Sequence, residues 1–308
     1  MADPIVLKDA QPAVDPARIG ISYSGGGPLV IVELGIARAF VKKGIVPAVI
    51  TGASAGALAG AAHALDPIGG RGIEIAADIC GTFSNAKLGL DPFHVALKVI
   101  RERTGLTGLG DNTAFGPPLS AAVKRTLGLA NVTMGLFRPP DRPKLMIVAT
   151  DVVQKRAIWF PDDTPLDQAL VASTAIPGVF PWREMVVNGE TLFLVDGGVV
   201  MNQPLSNLVE QGCGTIYACA VGSNAPLAPP KNLIENALRA VNLAMHQATK
   251  LEEDYVRLKL DGIGTVRHIH PEVVVPADNF NFTPQLVRSV MADAEAQTLA
   301  WLDQNHPE

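Results

Sequence analysis

Apolar residues recur along this chain with two different periods, and the two alternate. Short apolar or β-branched runs at 19–22, 46–51, 144–150, 156–160, 184–187, 191–195 and 215–221 read as strands. Longer segments with apolar positions every three or four residues read as helices at 28–43, immediately after residue 54, and at 73–82, 92–103, 114–127, 233–258 and 284–302. Asn188-Gly189, between two of the strands, is a hairpin signal. Thr283-Pro284 offers the last helix a side-chain cap and a first-turn proline. Its Leu286, Val290, Ala294 and Trp301 then fall at helical spacing. Strands alternating with helices predict a three-layer α/β/α sandwich around a mostly parallel sheet.

At 308 residues the chain has room for one large domain or two smaller ones. No Pro/Ser-rich linker, charge run or internal repeat divides it. One domain over 19–303 is expected, with 1–18 as an N-terminal extension. The Gly-rich segment 68–118 interrupts the strand–helix alternation and brings Phe83, Leu88, Leu90 and Phe93 close together. It reads as ordinary helical packing, with a lid or acyl-chain wall as the alternative.

One stretch, 45–65, is nearly uncharged and about as long as a membrane span. It carries Gly52, Gly56 and Gly60 at four-residue intervals, like a transmembrane packing face. Pro47 and the β-branched Val49-Ile50-Thr51 favour a strand instead, followed by a turn and a tightly packed helix.

Composition fits a large core, with 48% hydrophobic and 18% charged residues. A net charge of −5 gives no basic footprint for nucleic acid and limits any membrane contact to apolar or local patches. Cys80, Cys213 and Cys219 have neither CxxC spacing nor the even count of a disulfide framework, so they read as small buried residues. The N-terminus lacks a cationic start followed by an apolar stretch. No signal peptide is expected, and the cytoplasm is the expected location, with transient contact at a membrane surface as the alternative.

Candidate chemistry sits at three strand ends. Gly52-Ala53-Ser54-Ala55-Gly56 places a serine between a strand and an alanine-rich helix, where the backbone is forced into a strained turn that exposes the hydroxyl. Glycines two positions either side relieve the crowding. The helix aims its N-terminus at Ser54, and the Ala55 N–H is placed to donate to a developing oxyanion. Gly25-Gly26-Gly27 reads as an oxyanion loop, a phosphate cradle or a flexible turn. Val30 breaks the dinucleotide fingerprint and no G-K-S/T follows, so neither a dinucleotide nor a Walker-type cofactor site is present. Asp196-Gly197-Gly198 ends another strand; it reads as a turn or as a functional carboxylate at the sheet edge where ligands gather.

Together, these three motifs make the chain resemble the patatin-like phospholipase family over about residues 19–215. The stretch from Ala172 to Pro181 agrees with that family, as do Asn202 and Pro204 after the Asp-Gly-Gly. The resemblance implies a lipid acyl hydrolase with a Ser–Asp dyad, no catalytic histidine, no metal and no cofactor. By it, Ser54 is the nucleophile, Asp196 the base, and Gly25, Gly26 and Gly27 the oxyanion loop. One departure bears on substrate. The family's glycine loop continues with a basic residue and a glycine, where this chain has Pro28-Leu29-Val30. Loss of that cation favours a neutral ester, lysolipid or acylglycerol over a phospholipid.

A free aspartate, with a pKa near ~3.9, is a weak base at neutral pH, so the dyad requires burial to raise the proton affinity of Asp196. Two other readings remain. A Ser–His–Asp triad would follow the order Ser54, Asp196, then His268 or His270, although only a short chain precedes Ser54 for an α/β-hydrolase sheet. A non-catalytic lipid-binding relative would keep the fold without the chemistry.

Overall fold

Strand-forming residues of the first half lie side by side in one sheet, and the second half extends that sheet in both directions. The computed structural model describes residues 13–306 except 92–93, 96–97, 99–100, 103–104, 106, 223–228, 231–232 and 276–279, and the side chains of 233–235 and 237–238. The strands are β1 (Asp15–Tyr23), β2 (Val49–Ala53), β3 (Lys144–Asp151), β4 (Arg156–Trp159), β5 (Arg183–Val187), β6 (Glu190–Asp196), β7 (Cys213–Cys219) and β8 (Thr265–Ile269). Among the described residues they form one sheet in the order β5-β6-β3-β2-β1-β7-β8, with β4 also paired to β3. The five strands β3, β2, β1, β7 and β8 run parallel, whereas β4, β5 and β6 join antiparallel.

Helices cover both faces. One face carries α1 (Val30–Lys42), α2 (Ala55–Leu65), α3 (Arg71–Cys80), α4 (Gly116–Leu127), α5 (Leu166–Ser173) and the last helix, α9 (Pro284–Asn305). The short α6 (Gly198–Met201) follows β6, and α7 (Ser206–Glu210) and the long α8 (Leu233–Leu260) lie behind the sheet. Successive β2 residues divide between the layers: Ile50 enters the larger core, and Val49 packs with Leu205, Leu208 and Leu260 on the other side. This period of two fixes the register, since a one-residue slip would exchange the faces.

Local chemistry explains the element ends. Asn188 (φ 51) and Gly189 (φ 79) both adopt left-handed backbone, so the β5–β6 turn closes as a two-residue hairpin. The Thr283 hydroxyl accepts the Leu286 N–H, with Pro284 at the first turn of α9. Segment 45–65 resolves into β2, the turn at Ser54 and α2, every residue of α2 being buried. No helix among the described residues is long and apolar enough to cross a membrane. All three cysteines are free and buried.

Some boundaries move. β1 starts at Asp15 rather than 19, because the Asp15 N–H donates to Gly212 O and the residue pairs with Cys213; part of the expected N-terminal extension is therefore sheet. The helix expected from Pro28 begins as a tight turn, Gly27–Leu29, before α1. The expected helix at 92–103, and Phe93 with it, lie partly or wholly outside the described residues, as do residues 1–12. In the rest of 68–118, α3 packs on α2, and Phe83 and Leu88 are buried.

α1 and α9 pack against each other on the main face, and Gly35 makes the close approach feasible. A methyl group there would stand 2.6 Å from Met291 O and 2.7 Å from Ala294 Cβ. Overpacking of this kind costs about 1–3 kcal/mol. Gly35→Ala is expected to lower unfolding free energy by that amount in urea denaturation; an unchanged midpoint would mean that the two helices do not close as described.

Candidate active site

β2 delivers its chain into a turn that ordinary residues avoid. Ser54 takes φ 54 and ψ −121, a conformation that stores on the order of 1–3 kcal/mol of strain. The flanking glycines show why it is tolerated. A methyl on Gly52 would lie 2.3 Å from Gly56 O, and one on Gly56 would lie 2.3 Å from Tyr23 O. Both contacts are with backbone, which cannot swing aside. The strain is held from below by Ser173: its hydroxyl accepts the Ser54 N–H at 3.0 Å and donates to Val148 O at 2.7 Å.

Asp196 arrives from the opposite direction. β2 pairs with β3 up to Ala53 opposite Val148, and antiparallel β6 pairs with the next residues of β3, placing Asp196 opposite Ala149. The sequence places both groups at strand ends on one sheet edge; the structure brings them together through a reversed strand that meets β3 just past the end of β2. Ser54 Oγ donates to Asp196 Oδ2 at 2.6 Å, and the Gly198 N–H donates to Oδ1 at 2.8 Å. The Asp196 backbone is fixed as well, its N–H by Ala175 O and its carbonyl by the Thr150 hydroxyl, each at 2.9 Å. The residue is 1% exposed, and burial pushes its carboxyl up to about 7 against the opposing pull of the two hydrogen bonds.

The glycine loop lies beside this pair. Gly25 touches it: a methyl there would sit 3.2 Å from Ser54 Cβ and 2.4 Å from Asn202 Oδ1. Its N–H, expected among the oxyanion donors, is already committed to Asn202 O at 2.9 Å, so Gly25 is a tether and not a free donor. Gly27 has φ 54, and Ala55 occupies the first turn of α2. Among the described residues the amides of Gly26, Gly27 and Ala55 donate to no acceptor, as expected for a loop and a helix start.

No imidazole lies between hydroxyl and carboxylate, which meet directly. His268 Nδ1 is 3.6 Å from Glu253, and His270 Nε2 lies 3.0 Å from Gly222 O. The triad order is therefore not assembled. His63, on α2, is fully buried with Nδ1 2.8 Å from the Tyr23 hydroxyl, and burial pushes its pKa down to about 3.

A narrow apolar pocket opens at Ser54, walled by Val30, Leu58, Phe83, Phe115, Ile176 and Phe280. A second narrow pocket shares Val30, Leu58, Phe83 and Phe115 and continues between α3 and α4 to Ile79 and Leu119. Sequence reasoning passed over Ser173, Phe115 and Phe280 as site residues. Ser173 carried a signal in its agreement with the family stretch, but its role depends on a contact across 119 positions. Nothing local marks the two phenylalanines.

The patatin-like phospholipase family model matches residues 21–209. No curated protein sequence matches the chain significantly. Among solved structures, VipD from Legionella pneumophila superposes with a TM-score of 0.50 at 16% identity, covering 95% of this chain and 68% of its own. ExoU of Pseudomonas aeruginosa gives 0.47 at 14% identity, covering 96% and 55%. Human GIVD cytosolic phospholipase A2 gives 0.48 at 12% identity, covering 94% and 58%. Thus the chain spans little more than half the length of the last two.

The raised Asp196 pKa has a consequence for stability. A carboxyl whose pKa is about 7 folded and near its ordinary 3.8 unfolded favours the fold below pH 4, and that benefit fades as pH rises through 7. Ionised and buried, it weakens the fold by on the order of 4 kcal/mol at most. Asp196→Asn is expected to raise the thermal midpoint at pH 8 and to leave it unchanged at pH 4. A variant less stable than the parent at pH 8 would contradict a desolvated carboxylate.

Proposed function

The chain belongs to the patatin-like phospholipase family, and from that membership we propose that it is a serine hydrolase of carboxylic esters of lipids, acting through an acyl-enzyme on Ser54 with Asp196 as base. The observation that carries this reading is the 2.6 Å hydrogen bond from a strained nucleophile to a fully buried carboxylate.

Ser54 Oγ attacks the ester carbonyl carbon while its proton passes to Asp196 Oδ2. A proton affinity near neutrality makes that transfer efficient in both directions. The Ala55 amide, at the positive end of α2, and the amides of Gly26 and Gly27 in the neighbouring glycine loop serve as oxyanion donors in this reading; each such donor supports on the order of 2.7–4 kcal/mol of barrier lowering. Collapse breaks the bond to the leaving alkoxide, which takes the proton from Asp196. Water then adds to the acyl carbon, Asp196 accepts its proton, and the second collapse returns a proton to Ser54 and releases the acid.

Substrate class follows from the walls. Every side chain around the cavity is uncharged, the polar ones being the hydroxyls of Ser54 and Thr174. Leu29 stands where the family carries a cation, against Gly26. An acyl chain suits this lining, and an acylglycerol or other neutral ester suits it better than a phospholipid or lysophospholipid, whose phosphate finds no partner there.

Ser54→Ala and Asp196→Asn are each expected to lower turnover of a p-nitrophenyl ester by roughly 10⁴-fold or more. His268→Asn and His270→Asn are expected to match the parent. Full turnover in Asp196→Asn, or its loss with either histidine, would overturn the dyad.

A further inference from the structure

Asn112 is a polar side chain shut away from solvent, and both ends of its amide are in use. Its nitrogen donates to Val171 O at 2.7 Å and to the Thr174 hydroxyl at 2.9 Å. Its Oδ1 accepts from Arg183 Nη2. One amide therefore ties the end of α5 to β5. Any shift of the segment that carries it would leave buried donors and an acceptor unmet, so that segment is held firmly.

The segment leads straight into the pocket wall. The Asn112 carbonyl accepts the Phe115 N–H at 3.1 Å, and α4 starts at the next residue, where a methyl on Gly116 would overlap Asp167 O on α5. The Phe115 ring is the hub of the aromatic walls, its centroid 5.2 Å from that of Phe83 and 5.7 Å from those of Phe180 and Phe280. Phe83, Phe115 and Phe280 line the pocket at Ser54, and Phe83 and Phe115 line its neighbour between α3 and α4. Thr174, at the far end of one Asn112 hydrogen bond, lines the Ser54 pocket as well. The dyad is held by other groups: Ser54 by Ser173, and Asp196 by Ala175, Thr150 and Gly198. None of those bonds uses the Asn112 side chain.

We propose that Asn112 is a positioning residue for acyl-chain recognition, pinning Phe115 so that the pocket at Ser54 takes a slim hydrocarbon tail along Leu58, Phe83 and Phe115. The proposal rests on the acyl-ester reading above and adds what sets the fit of the tail. Asn112 touches no substrate and acts through Phe115. Because the pocket is narrow, a small displacement of that ring changes what the walls can grip. A short acyl group, which ends near Ser54, does not depend on the wall; a long one does.

The test compares p-nitrophenyl acetate with p-nitrophenyl octanoate on the full chain, and measures separately the binding of a dansyl-labelled undecanoic acid, which needs no turnover. Asn112→Ala is expected to raise the octanoate KM and the fatty-acid Kd at least about tenfold, while kcat/KM for the acetate stays within about threefold of the parent. Arg183→Met, which removes the partner of Oδ1, is expected to shift both in the same direction by less, and it carries the test if Asn112→Ala does not fold. Adding Asn112→Ala to Phe115→Ala is expected to cost little beyond Phe115→Ala alone, because the first acts through the second. Equal losses on acetate and octanoate, an unchanged fatty-acid Kd, or full additivity with Phe115→Ala would contradict the proposal. So would a parent that binds no fatty acid. A parent that binds the fatty acid and turns over neither ester would count against the hydrolase reading alone, and the Kd of the variants would still decide the role of Asn112.

Discussion

The hydrogen bond from Ser54 to Asp196 joins residues 142 positions apart, and much of the architecture exists to hold its two ends. β3 is the common support. β2 ends beside Val148 and β6 ends beside Ala149, so one strand carries both partners at consecutive residues. Ser173 ties the serine backbone to the same strand, and Thr150 ties the aspartate backbone to it. Neither side chain has freedom to drift, since each is anchored through its own main chain. Preorganisation of this kind lets a short hydrogen bond persist in a dry setting.

The same setting weakens the fold locally. Ser54 sits in a left-handed conformation that glycine would accept more easily, and Asp196 is a carboxyl group withdrawn from water. Both cost folding free energy, and both are compensated by surrounding order: two glycines that let backbones touch, a helix start at the serine, and a sheet with buried layers on either side. Local strain that survives only because its surroundings over-determine it is typical of reaction centres. Here burial raises the proton affinity of Asp196 toward neutrality and the strained turn presents the Ser54 hydroxyl to it, so the features that weaken the fold are the ones the proposed chemistry uses.

Much of this was legible before any coordinates. The β-branched runs, the Asn188-Gly189 hairpin and the Thr283 cap are local signals, decided by a few neighbouring residues, and they hold in the structure. The elbow was legible for the same reason, because Gly52, Ser54 and Gly56 crowd one another within five positions. Other features depend on partners far away in sequence. The reversal of β6, which actually brings Asp196 to Ser54, has no marker in residues 190–196. Gly25 carries nothing to show that Asn202 takes its amide. Phe115 and Phe280 read as core residues in any window, and only the tertiary fold turns them toward Ser54. α5, α6 and α7 are short elements whose helicity comes from packing rather than from a periodic pattern.

The direct contact makes a kinetic claim that no other group in the cavity can imitate. The rate at which a fluorophosphonate labels Ser54 should follow the ionisation of its base. Measured from pH 5 to pH 9 on the parent and on the His268→Asn and His270→Asn variants, labelling is expected to rise with pH through an inflection near 7, the same in all three proteins. A flat profile, or an inflection that vanishes when a histidine is replaced, would contradict a buried aspartate acting on the serine alone.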